Sequence, residues 1–264
     1  MIVDNPGVLI ALIAALLALA LLFWFARNQM RYGRVSETLI DAEEALDRGE
    51  VEKARELVAP LLGRYPQLPI VQDVAADVLY ANGDPLSAAS LYERAMKKLG
   101  PGRVAPKLVA AYAALNRAGD ARRVAALAPD DPMTRLALAW SELAAVGGDR
   151  EKGSVLADAL ARDSELRSTP AGDAMACVLE AIAAARAGQT GRARDALDRA
   201  SVLRTKLADH DRAFVGYLGG IALLEMGARA DARETWTMAM DAAPETIGAA
   251  LARRERSHLP AEES

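Results

Sequence analysis

The chain has 264 residues, 52% hydrophobic but only 5% aromatic, so its apolar content is mostly alanine and leucine. These residues are strong helix formers, and no alternating strand-like runs accompany them, so an all-α fold is predicted. The single cysteine excludes an intramolecular disulfide framework and any cysteine-rich metal site. The net charge of −4 argues against nucleic-acid binding, which usually requires a basic surface.

The first predicted element is an apolar helix over residues 8–26. It contains 19 residues without a charge, and as a helix it would be about 28 Å long, close to the hydrocarbon thickness of a bilayer. Phe23, Trp24 and Phe25 stand near its end, where aromatic rings favour the headgroup layer. A cleaved signal peptide is the alternative, but residues 1–7 lack the basic region that it needs. We therefore expect an uncleaved transmembrane anchor with a basic juxtamembrane segment over residues 1–34.

Flanking charges predict the orientation of this anchor. Arg27, Arg31 and Arg34 follow the apolar segment, and no basic residue precedes it. Because positive charge is enriched on the cytoplasmic side, the remainder of the chain is expected in the cytoplasm. The chain is thus predicted to be a single-pass protein of the inner (plasma) membrane.

Residues 35–250 are predicted to form about six helical hairpins with a period of about 34 residues. The predicted turns are Gly49-Glu50, Gly83-Asp84, Gly119-Asp120, Gly148-Asp149, Gly188-Gln189 and Gly227-Ala228. Small residues usually stand seven positions before each glycine and five after it, as Ala76 and Ala88 do around Gly83. Small side chains at these places would let the paired helices approach closely.

Three departures from this period are predicted. The second helix of the third repeat is truncated to residues 121–128, because Pro129 and Pro132 follow it. The wide spacing between Gly148 and Gly188 predicts a longer loop over residues 163–172. Residues 251–264 are polar and are expected to form a capping end and a flexible tail.

The repeated pattern resembles the tetratricopeptide repeat (TPR) family and, with the predicted anchor, membrane-anchored bacterial members of it. The matching residues are Ala76, Gly83, Asp84, Ala88, Tyr92 and Ala95 in the second repeat, and Gly220, Gly227, Ala232, Trp236, Ala239 and Pro244 in the last. The resemblance implies a TPR-like α-solenoid, a right-handed superhelix of helix hairpins. It also implies that the first helix of each repeat lines a concave groove that binds peptides.

No catalytic or metal-binding motif stands out in the sequence, which contains no HExxH, CxxC or Walker-type sequence. His210, in a predicted loop, and His258 are expected on the surface, and Cys177 is expected in the core. Asp73 and Asp77 could bind a cation, but two carboxylates make a weak site, and a solvated or partner-facing surface is the better interpretation. The chain is predicted not to be an enzyme, with no cofactor, metal or small-molecule substrate.

Carrying the groove positions of the TPR family onto this chain gives nine candidate partner-binding residues. We call them the predicted groove residues: Glu43, Asp73, Asp77, Tyr80, Asn116, Arg117, Glu142, Arg186 and Tyr217. The predicted function is a membrane-anchored adaptor or scaffold that binds protein or peptide partners at the cytoplasmic face. The alternative is a fixed assembly subunit of a larger membrane complex, such as one for secretion or for cytochrome, heme or lipopolysaccharide assembly.

Overall fold

The computed structural model describes residues 35–259, which contain thirteen α-helices, one 3-10 turn and no β-strand. The helices are α1 (35–47), α2 (Val51–Arg64), α3 (Pro69–Ala81), α4 (Pro85–Leu99), α5 (Pro101–Ala114), α6 (Ala118–Ala125), α7 (Pro132–Ala144), α8 (Arg150–Leu160), α9 (Pro170–Arg186), α10 (Thr190–Arg204), α11 (Asp209–Glu225), α12 (Arg229–Ala242) and α13 (Ile247–His258). The predicted all-α class is confirmed for this part of the chain.

The predicted anchor, residues 8–26, lies outside the described residues, as does the end of the predicted tail from residue 260 onward. Between residues 35 and 259, none of the helices combines the length and the apolar character needed to cross a bilayer.

The helices form a stack of hairpins with a repeating pattern of contacts. From α3 onward, each odd-numbered helix packs against the even-numbered helix that follows it and against the next odd-numbered helix. The odd-numbered helices therefore form one continuous layer, and the even-numbered helices lie outside it. The two larger clusters of buried residues, centred on α1–α6 and on α7–α13, share the partly buried Tyr80 and Ala110 where they meet.

Four of the predicted turn glycines adopt the left-handed backbone conformation that favours glycine. Gly49, Gly83, Gly188 and Gly227 have φ values between 72° and 81°, as their places between paired helices predict. The small residues beside them, such as Ala76 and Ala88, are fully buried. The hairpin geometry predicted from these residues is confirmed.

The third and fourth turns differ from the prediction. Asn116, with φ of 58°, and Gly147, with φ of 77°, replace Gly119 and Gly148 as the left-handed residues. Asparagine tolerates this conformation better than most side chains do. Helix α6 is short, as predicted, but it spans Ala118–Ala125 and so begins three residues earlier than expected.

Two other boundaries also shift. The loop between α8 and α9 covers residues 161–169 and contains a 3-10 turn, Leu166–Ser168, so Gly172 lies in the first turn of α9. The expected boundary between repeats and capping end, at residue 250, falls inside α13. Residues 251–258 continue a helix that begins at Ile247.

Candidate binding cavity

The stack of hairpins curls far enough for its C-terminal helices to contact its N-terminal ones. A methyl group added at Gly83, in the α3–α4 turn, would lie 3.6 Å from Cβ of Ala250 in α13. One added at Gly49, in the α1–α2 turn, would lie 3.7 Å from Nδ1 of His210 in α11. Nη1 of Arg254 donates a hydrogen bond of 2.9 Å to the carbonyl oxygen of Ala114, at the end of α5.

This closure leaves a cavity of about 530 Å³ inside the layer of odd-numbered helices. Six of those helices, from α3 to α13, contribute to its wall. The apolar part of that wall includes Tyr80, Ala110, Met133, Trp140, Met175, Phe214 and Ile247. Its polar part includes Asp77, Lys107, His210, Asp211 and Thr246. We call this space the central cavity.

An aromatic cluster in the wall of the central cavity joins α7 to α11. The ring of Trp140 in α7 meets Phe214 in α11 edge to face, with 4.8 Å between the ring centroids. Tyr217 lies behind both rings, 6.5 Å from Trp140 and 5.8 Å from Phe214. Burial raises the pKa of Tyr217 to about 12, as expected for a phenol enclosed by apolar groups.

A buried ion-pair network lies beside the apolar wall. The carboxylate of Asp73 is fully buried, and it accepts hydrogen bonds of 2.6 Å from Nε of Arg103 and 3.2 Å from Nζ of Lys107. Glu43 pairs with Arg103 from α1, at 3.3 Å. The network therefore ties α1 and α3 to α5, and loss of both bases would leave the buried carboxylate of Asp73 uncompensated.

Asp77 forms the edge of this network that faces the central cavity. Its carboxylate accepts 2.6 Å hydrogen bonds from Nζ of Lys107 and from the hydroxyl of Tyr92. Burial raises the pKa of Asp77, although the ion pair with Lys107 and the Tyr92 hydrogen bond oppose the shift. Because Asp73 and Asp77 already hold Lys107 and Arg103, the pair does not form the open cation site considered from the sequence.

A second acidic group also lines the central cavity. Asp211, in the first turn of α11, is 3.3 Å from Nε2 of His210. Burial raises the pKa of Asp211 above its usual value of 3.8; His210 opposes the shift, and the nearby Asp47 adds to it. His210 therefore does not stand in a surface loop, as the sequence indicated, but lines the cavity within a helix.

The structure brings four of the nine predicted groove residues to the central cavity or directly behind it. Asp77 and Tyr80 line the cavity. Asp73 and Tyr217 lie behind its wall, with 0% and 1% of their surfaces exposed. Only Asp77 and Tyr80 of these four present side-chain atoms to the cavity.

The other five predicted groove residues lie elsewhere. Glu43 pairs with Arg103, and Arg117 pairs with Asp120. The side chain of Asn116 accepts a hydrogen bond from the backbone of Val146. The remaining two, Glu142 and Arg186, make internal contacts: Glu142 is fully buried against Arg122, and Arg186 bonds Glu225 and the carbonyl of Leu143.

Sequence reasoning missed the largest apolar residues of the cavity wall, Met133, Trp140, Met175 and Phe214. All four stand on first helices of hairpins, the elements expected to face a groove. The sequence feature that could have identified them is an excess of large apolar side chains on these first helices. One hairpin does not need so many to form its own core. The groove positions implied by the TPR resemblance do not include these four residues.

The described residues offer little other chemistry. Between residues 35 and 259, no group of three His, Cys, Asp or Glu side chains is placed to hold a metal ion. Burial raises the pKa of the Cys177 thiol, which is 3% exposed. No protein-family model matches the sequence, and no match to a curated protein was found.

Proposed function

We propose that this chain is a membrane-anchored, TPR-like scaffold that binds a segment of a partner protein in its central cavity. The observation that carries the proposal is the cavity itself, a half-open and mainly apolar space of about 530 Å³ lined mainly by the odd-numbered helices. Specific binding pockets in proteins are typically apolar and about 300–1,000 Å³ in volume, with a few polar groups at fixed places. The central cavity has this composition.

The wall of the cavity also supports binding rather than catalysis. Its acids and its lysine are engaged with one another or with Tyr92 and His210. The aromatic and methionine side chains offer apolar area on a rigid frame, which favours contact with a large apolar group. Met133 is 50% exposed at the start of α7, so the cavity wall continues to the surface there.

The anchor in the proposal comes from residues 8–26. A charge-free segment of this length can hold the helical domain at the inner face of a membrane, which raises its effective concentration near membrane-bound partners. The test is alkaline carbonate extraction of membranes. We expect the full chain to stay in the membrane fraction and the variant Leu17→Arg to be largely released.

Binding in the cavity is tested by site-specific photo-crosslinking in native membranes. A photoreactive residue at Met133 reports on the cavity, and one at Val155, which is 66% exposed on α8, reports on the outer surface. We expect a discrete adduct from position 133 that disappears when Ala110→Phe fills the cavity. Ala159→Phe, on an exposed position of α8, is the matched control.

The opposite pattern would support the other candidate, a subunit fixed inside a larger complex. An adduct from position 155 that resists salt, together with none from position 133, would show that the outer helices carry the contact. The proposal of a cavity-binding scaffold would then be wrong.

A further inference from the structure

We propose that the central cavity binds a peptide segment in which large apolar side chains stand next to arginine or lysine. This inference rests on the proposed function, since it specifies the chemistry of the segment that the cavity takes. It follows from the apolar wall, from the distribution of charge around that wall, and from the charge of the whole domain.

The apolar wall requires a bulky partner group. The ring of Phe214 is partly buried in the wall of the cavity of about 530 Å³, and it is backed at 4.8 Å by Trp140, which is 2% exposed. Met133 continues this surface outward. Large aliphatic or aromatic side chains would fill the space and gain about 25 cal/mol for each Å² of apolar area buried.

The charges around the cavity favour a cationic neighbour for those side chains. Lys107 is the one lysine or arginine among the described residues that line the cavity. Its ammonium group is held between Asp73 and Asp77, at 3.2 Å and 2.6 Å. It is therefore not available to neutralise a carboxylate elsewhere on the wall.

Asp211 is the carboxylate that lacks such a base. Among the described residues its ion-pair partner is the adjacent His210, at 3.3 Å, and the acidic Asp47 lies close enough to disfavour its charge. A guanidinium or ammonium group from a bound peptide would supply the missing positive charge, and in a partly buried place such a contact is stronger than on an open surface.

The net charge of the domain also favours a basic peptide, and it acts at longer range. Residues 35–264 contain 35 acidic and 29 basic side chains. A net negative domain attracts basic segments and repels acidic ones before contact, which raises the association rate at low salt.

The test is selection of a phage library of random dodecapeptides on the purified full-length chain in non-ionic detergent. Parallel selections use Ala110→Phe and Met133→Arg; the second variant changes a half-exposed side chain and leaves the core unaltered. Circular dichroism is used to check that both variants fold. Peptides that bind the wild-type chain and neither variant define the cavity-dependent set.

We expect this set to be enriched in arginine or lysine beside tryptophan, phenylalanine or leucine. A synthetic member of the set should bind Asp211→Asn about tenfold more weakly, the loss expected for one charge-assisted hydrogen bond. It should bind Asp195→Asn, an exposed outer position on α10, as it binds the wild-type chain. Added salt should weaken its binding.

The two proposals fail in different ways. A cavity-dependent set that is neutral or acidic, or that is indifferent to Asp211→Asn, would overturn the inference about charge and leave cavity binding in place. A selection without any cavity-dependent peptide would overturn both.

Discussion

At the scale of single residues, Glu142 shows how a charge can be held inside this helical stack. Its carboxylate is fully buried and accepts two 2.6 Å hydrogen bonds from the guanidinium of Arg122 and one from the backbone N–H of Asp149. Arg122 also donates to the carbonyl of Gly147. One side chain of α7 thereby fixes both α6 and the α7–α8 turn.

Removing the base of this pair should be costly. We expect Arg122→Ala to lower the free energy of unfolding by about 3 kcal/mol, because Glu142 would remain buried without its counter-charge. The neighbouring Arg123 is 75% exposed and pairs with Asp120 at the surface, so Arg123→Ala should cost less than about 1 kcal/mol. Urea denaturation measures the free energy of unfolding of both variants. Equal losses would show that the burial of Glu142 does not determine the cost of removing its base.

Asp211 should make stability depend on pH. Because burial raises its pKa in the folded state, its ionised form is less favourable there than in the unfolded chain. The penalty is present at neutral pH and is relieved as the pH falls through the raised pKa, and below the usual value of 3.8 the carboxyl is protonated in both states.

We therefore expect Asp211→Asn to raise the free energy of unfolding at neutral pH, with a gain that diminishes as the pH is lowered. Denaturation at a series of pH values measures this difference, with Asp195→Asn as the exposed control. A gain in the free energy of unfolding that grows toward acid pH would contradict the raised pKa of Asp211.

At the scale of elements, glycines inside helices set how closely those helices pack. Gly220, in α11, lies against the indole of Trp236, which is fully buried and donates a 2.9 Å hydrogen bond to the carbonyl of Tyr217. The sequence predicted a packing role for this glycine, and that prediction is confirmed. Gly248 acts similarly between α13 and α11, where it faces backbone atoms.

A side chain at Gly248 should disturb the packing of α13 against α11. A methyl group there would lie 2.5 Å from the nitrogen of Phe214 and 2.7 Å from its Cα, and backbone atoms cannot rotate away. We expect Gly248→Ala to cost about 1–3 kcal/mol and to increase hydrogen exchange across residues 247–258.

Gly63→Ala is the control for that change, since no heavy atom lies within 4 Å of the added methyl group. It should be neutral or stabilise by up to about 1 kcal/mol through helix propensity. Hydrogen exchange in α13 that is unchanged by Gly248→Ala would show that this contact does not position the helix.

At the scale of the whole molecule, the important feature is contact between the two ends of the stack. Repeat proteins are usually stabilised by neighbouring repeats alone, so their ends are independent. Here α13 reaches the α3–α4 turn through Ala250 and the end of α5 through Arg254. The central cavity exists because of this closure.

A bulky side chain at the closing contact should open the molecule. Cβ of Ala250 would lie 3.6 Å from a methyl group at Gly83, so Ala250→Trp leaves no room for the α3–α4 turn. We expect a larger radius of gyration in small-angle X-ray scattering of the full chain and weaker binding of cavity-dependent peptides. Ser257→Trp, on an exposed position of the same helix, should change neither the radius of gyration nor the binding. If Ala250→Trp scatters as the wild-type chain does, the contact between the two ends of the stack can accommodate a tryptophan.

The sequence by itself determined the helical class, the pairing of helices into hairpins and most of the turns. These features depend on residues within one repeat: apolar spacing, small residues at the crossing, and a glycine such as Gly83 where the backbone is left-handed. The third turn was misplaced because Asn116 can adopt the same conformation as glycine, and a pattern based on Gly119 does not detect it.

Only the tertiary structure decided which side chains face the cavity. Small rotations between successive hairpins accumulate along the stack, and their sum brings Ala250 to Gly83 and encloses Trp140 and Phe214. Asp73 and Glu142, whose polar character had indicated exposure, are buried against neighbouring helices that supply their bases. A local pattern cannot contain this information, because the direction that a side chain faces is known only once all its neighbours are in place.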